Sequence, residues 1–101
     1  MPIAQLTVTP LGTPGTSLSD TVAQVQKAIV ATGIKHQLTP MATILEGEIG
    51  DIMAAVMAAH EAAFTAGTGR VSTVLTLDDR RDNPTTMEHK VEAVKKKMED
   101  D

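Results

Sequence analysis

The chain predicts an α+β domain in the order β-α-β-β-α-β, with one further helix at its C-terminal end. Three observations carry that expectation. Four short stretches alternate apolar with polar residues, and two amphipathic helical stripes separate them. Glycine- and proline-rich breakers fall at the junctions. Charge collects at one end, with eight charged side chains in residues 1–77 and fourteen in residues 78–101.

The first strand is expected over Ile3 to Thr9, with Ala4, Leu6 and Val8 opposing Gln5, Thr7 and Thr9. The stretch from Pro10 to Thr16 is a loop by its Gly and Pro content. Ser17 or Ser19 can cap the next helix, and Asp20 suits its first turn. Leu18, Val22, Val25 and Ile29 recur at steps of four, three and four, so they form one apolar stripe that Gly33 ends. Ile34 to Thr39 reads as a second strand, broken by Pro40, and Ala42 to Glu48 returns as a third. A second helix starts at Gly50-Asp51, with Ile52, Val56, Ala59 and Ala63 beside Met53, Met57 and Phe64. Breakers from Ala66 to Gly69 stop it. Val71 to Leu77 is the fourth strand, and the charged stretch Asp78 to Pro84 is a turn. Thr85-Thr86-Met87-Glu88 reads as a capping box. The last helix carries Met87, Val91, Val94 and Met98 on one stripe and Lys95, Lys96 and Lys97 where the helix dipole favours cations.

Two strand–helix–strand units in this order define the ferredoxin-like arrangement, with two helices on one face of a four-stranded sheet. The 101 residues are expected to make a single domain spanning residues 1–101. If the more apolar parity of each strand meets the helices, the open face holds Gln5, Thr7, Thr9, Gln37, Thr39, Ile44, Glu46, Ser72, Val74 and Thr76. That set is polar but nearly uncharged, which suits a wet interface between sheets or a site for a small polar ligand.

Composition excludes several function classes. The formal charge is −4 and Phe64 is the single aromatic residue, whereas nucleic acid calls for a basic face and stacking rings. No Cys is present, no apolar run is long enough to span a membrane, and no signal pattern opens the chain, so a soluble, cytoplasmic protein is expected. The sparse charge of residues 1–77 points to self-association. His36, His60 and His89 fall on different elements without ligand spacing, and Phe64 stands where a second zinc-binding His would follow His60-Glu61, so no metal is expected. No phosphate-loop Lys, dinucleotide fingerprint or Ser-His-Asp set is present.

Pro40-Met41-Ala42-Thr43-Ile44-Leu45-Glu46-Gly47-Glu48 stands apart, because it sets a carboxylate within a run of strand formers. Val8-Thr9-Pro10-Leu11-Gly12-Thr13, that stretch, and Arg70-Val71-Ser72-Thr73 leading to Asp79-Arg80-Arg81 together resemble the small thiamine-binding protein family. Lys90 and Val94 also match. The resemblance implies a ferredoxin-like subunit that forms homodimers and often homotetramers. It further implies a site for thiamine or its aminopyrimidine fragment, and neither catalysis nor a cofactor.

Six residues are candidates for ligand contact. Glu46 can pair with the edge of an aminopyrimidine; the alternatives are a strand-end surface charge or a salt-bridge partner in a neighbouring subunit. Thr7, Thr9, Thr39 and Thr43 can hydrogen-bond a ligand as a cluster, although each is also ordinary strand filling. Met41 can lay its thioether on a heterocycle or plug the core. Asp79-Arg80-Arg81-Asp82 is a surface turn or a contact between subunits. Two functions follow. One is a non-enzymatic binding protein for thiamine or a hydroxymethylpyrimidine-type precursor, acting as carrier, buffer or sensor. The alternative is an oligomeric interaction module whose open sheet face serves assembly.

Overall fold

The computed structural model describes residues 1–12, 19–65 and 67–99. Its elements are β1 (Ile3–Pro10), α1 (Ser19–Thr32), β2 (Lys35–Leu38), β3 (Thr43–Glu46), α2 (Ile49–Phe64), β4 (Val71–Asp78) and α3 (Met87–Glu99). The strands form one sheet in the order β2-β3-β1-β4, and each neighbouring pair is antiparallel. β1 therefore runs parallel to β2, and β3 parallel to β4, each pair with another strand between them. These are two interleaved βαβ units, the ferredoxin-like fold.

Residues opposite one another in an antiparallel pair share a face, so the register settles the parity. Ala4 opposes Leu45 and Leu77, and Leu6 opposes Thr43 and Leu75. This is the face that meets α1 and α2. Gln5 opposes Ile44 and Thr76, Thr7 opposes Val74, and Thr9 opposes Ser72 on the other face. The alternation in the sequence assigns both faces correctly.

The core lies between the sheet and two helices. Ala4, Leu6 and Leu45 are buried from the sheet, Val25 and Ile29 from α1, and Ile52, Ala55, Val56, Ala59 and Ala63 from α2. The three buried alanines let α2 come close to α1 and to β1, which a larger side chain would prevent. Met53, Met57 and Phe64 lie outside this stripe and are exposed. Gly33 ends α1 at φ 77°, where a side chain would be strained, and its N–H bonds Val30 O at 3.1 Å.

Several boundaries differ from the sequence expectation. Ser19 is already helical, and the alternative cap Ser17, with Leu18 and Thr13 to Thr16 of the first loop, lies outside the described residues. β3 stops at Glu46 rather than Glu48: Gly47 N–H still reaches Pro2 O at 3.2 Å, in register with Ile3 and Glu46, but Pro2 has no N–H to return the bond, and Glu48 already caps α2. β4 runs on to Asp78, which still pairs with Ile3. The cap of α3 is Thr86, whose Oγ1 accepts from His89 N–H at 3.1 Å, one residue later than the capping box placed it. No helix among the described residues is long and apolar enough to cross a membrane.

Ile52 is fully buried between the helices and the sheet. Ile52→Ala is expected to destabilise the fold by about 2–5 kcal/mol, read as a lower urea midpoint with an unchanged slope.

Candidate functional site

The hairpin between β2 and β3 shapes one end of the sheet. Thr39 N–H bonds Ala42 O at 2.8 Å, leaving Pro40-Met41 as the two-residue tip. The Thr39 hydroxyl donates to Ala42 O at 2.7 Å and accepts from Ala42 N–H at 3.2 Å. With Pro40 fixing φ at the first tip position, the turn needs no glycine. Thr39 is thereby committed to the turn. Met41 at the tip is 85% exposed, so the core-plug reading of this residue is overturned.

β3 pairs with β1 only from Ile3 to Leu6, while β4 follows β1 as far as Pro10. Past Leu6, one edge of β1 has no strand beside it, and the hairpin tip overhangs the gap. A cleft of about 210 Å³ opens there. β1 contributes Leu6 to Thr9, α1 contributes Val22, Val25 and Gln26, and the hairpin contributes Leu38 to Thr43. Thr43 is buried, and its Oγ1 accepts from Gln26 Nε2 at 2.7 Å. The cleft thus brings together Thr7, Thr9, Thr39, Met41 and Thr43, and among the described residues none that lines it carries a charge. Gln26 was missed from sequence, although it follows Val22 by one helical turn and directly flanks Val25.

Glu46 is not among the lining residues. It sits three residues further along β3, about 10 Å by strand rise. It keeps the predicted open-face parity yet is only 5% exposed, because α3 lies over it. Its Oε1 accepts from Met87 N–H at 2.8 Å, and its Oε2 pairs with Lys35 Nζ at 2.7 Å. Lys35 reaches on to Glu88 at 2.8 Å. Lys35, Glu46, Ile3 and Asp78 face one another across all four strands. At the far end of this row Asp78 pairs with Lys90. α3 meets the row through polar contacts of its first turn, and none of its own residues is buried. Glu46 thus forms its salt bridge with Lys35 of its own chain, where the sequence reading placed one across a subunit boundary.

These pairings shift the charges in consistent directions. Lys35 is raised above its ordinary 10.5, chiefly by its bond to Glu46 and then by Glu88. Glu88 is lowered by the bond from Lys35, and Asp78 by the bond from Lys90. Arg81 pairs with Asp79, and Arg80 with Asp82, both within the turn before α3. His60 joins α2 to β4 through Nδ1 and Thr73 Oγ1, 2.6 Å apart.

Fold and cleft together define a ferredoxin-like protein with an uncharged niche between its central strand, its first helix and a hairpin tip. The chain belongs to the thiamine-binding protein family, whose sequence profile matches residues 4–95. UPF0045 protein YqgV of Bacillus subtilis is 48% identical over 103 residues, covering 98% of this chain and 99% of that one. A UPF0045 protein of Methanothermobacter thermautotrophicus is 47% identical over 96 residues, covering 94% and 97%. Among solved structures, a hypothetical protein of Methanocaldococcus jannaschii superposes with a TM-score of 0.84 at 30% identity, over 92% of this chain and 94% of that one. A Thermotoga maritima protein, described as a candidate for thiamine biosynthesis or salvage, shares the fold with a TM-score of 0.78 at 22% identity, over 92% and 97%.

Two outcomes test the carboxylate row. Glu46→Ala removes the acceptor of Met87 N–H, and α3 docking is expected to weaken by about 1 kcal/mol; faster amide exchange through α3 with an unchanged core would report it. Glu88 and Asp78 have folded-state values below their unfolded ones, so their contribution is present at neutral pH and lost as pH falls through those lowered values. Protease cleavage within α3 should therefore rise in acid, below the ordinary carboxylate values of 4.5 and 3.8, before the β-sheet melts.

Proposed function

We propose that this protein binds thiamine or its hydroxymethylpyrimidine-type precursor without transforming it, as a cytoplasmic carrier, buffer or sensor. One observation carries the reading: five of the six residues expected to touch a ligand line a single uncharged cleft. Membership of the thiamine-binding family supports it, as does the thiamine connection of the Thermotoga maritima protein. A volume of about 210 Å³ is below the roughly 300–1,000 Å³ of pockets that enclose drug-sized ligands. The cleft suits the pyrimidine fragment, with the rest of thiamine reaching outward over Met41. Calorimetric titration is expected to show heat for thiamine and for hydroxymethylpyrimidine, with both ligands recovered unchanged. Absence of heat and of a thermal shift at millimolar ligand would defeat the proposal.

A second reading is favoured by the open sheet face. Val74 is 57% exposed there, opposite Thr7 and on the same face as Gln5, Thr9, Ser72 and Thr76. We propose that two copies join through this face into a homodimer, or further into a tetramer. Val74→Arg would then shift the sedimentation coefficient toward that of a monomer. A wild-type chain that sediments as a stable monomer would rule the assembly out.

A further inference from the structure

The cleft does more than exclude charge. Thr43 Oγ1 already accepts from Gln26 Nε2 at 2.7 Å. A hydroxyl that accepts one bond still has its own hydrogen to give, and a Gln amide that donates through nitrogen still has its carbonyl to accept. Thr43 is buried and its partner is half-buried, so both groups are set by the protein rather than by water. We infer that Gln26 and Thr43 form the reading pair of the cleft: the Thr43 hydroxyl donates to a ring nitrogen, and Gln26 Oε1 accepts from the amine beside it. The ligand class this selects is a neutral heterocycle with an adjacent amine and ring nitrogen, an amidine-like edge.

The surroundings agree with that class. Val22 and Val25 give the niche an apolar wall beneath Gln26, and Met41 can close over the ring from the hairpin tip. Among the described residues the lining carries no charge, so a phosphate or carboxylate would lose hydration without gaining a cationic partner. Glu46, the obvious carboxylate for such an edge, has both oxygens engaged under α3.

This inference rests on the thiamine-type reading, and the test separates the two. Hydroxymethylpyrimidine in its amino form and its oxo counterpart, in which donor and acceptor are exchanged, are titrated into the intact chain and into Gln26→Leu, Thr43→Val and Thr43→Ser. Thermal melts report that each variant is folded. The wild type is expected to prefer the amino form by roughly tenfold or more. Gln26→Leu and Thr43→Val should each weaken that form by roughly tenfold to a hundredfold and remove the preference. Thr43→Ser, which keeps the hydroxyl, should retain both affinity and preference. Variants that bind the amino form like the wild type would overturn the reading pair and leave thiamine binding standing. A wild type that takes up neither pyrimidine nor thiamine would overturn both.

Discussion

A carboxylate with almost no access to water has to be matched by donors, and the match found for Glu46 arranges one whole end of this molecule. An ionised group buried without partners costs several kcal/mol, on the order of the total stability of a small domain. Here one oxygen meets the ammonium of Lys35 across the hairpin, and the other meets the first N–H of α3. That second bond fixes where α3 begins. Glu88 and Lys90 then fall within reach of Lys35 and Asp78. The first turn of α3 consequently sits against the row from Lys35 to Asp78, while residues 91–99 of the helix are exposed.

Charged and neutral polar groups are thereby segregated along the sheet. At the Glu46 end the contacts are ionic, and they hold an element that buries no apolar residue of its own. At the hairpin end the polar groups are hydroxyls and one amide; Gln26 orders Thr43, and the backbone of Ala42 orders Thr39. A charged side chain at the second place would draw water and counter-ions into the cleft. Hydroxyls and amides instead discriminate by the direction of their hydrogen bonds, which is the property a heterocycle edge presents.

Much of this was legible in the sequence. The alternation of Ala4, Leu6 and Val8 against Gln5, Thr7 and Thr9 assigns the faces of β1, because strand parity is local and sterically enforced. The threonine cluster was legible too, since it follows from that parity and from the position of Pro40. The fate of Glu46 was not, because Met87 lies 41 residues away and no local pattern records which helix end will cover a given strand. Its pairing with Lys35 did leave a trace. A two-residue turn at Pro40-Met41 sets Thr39 against Ala42, and counting outward sets Lys35 against Glu46. The cap of α3 was misplaced by one residue because Thr85 and Thr86 are chemically alike, and only the turn geometry chooses between them. Gln26 was missed because a polar residue at the margin of an apolar stripe looks like solvent-facing surface until a strand is laid against it.

The unequal lengths of β1 and β3 bear on solubility. A strand flank without a neighbour invites pairing with foreign chains and can seed aggregation. In this fold that flank lies inside the sheet order, between β4 and the overhanging hairpin, rather than along an outer margin. It spans only Thr7 to Pro10, and Pro10 has no N–H to offer an incoming strand. The opening is too short and too sheltered to template a fibril, yet it leaves backbone groups beside the cleft that a small flat molecule can reach.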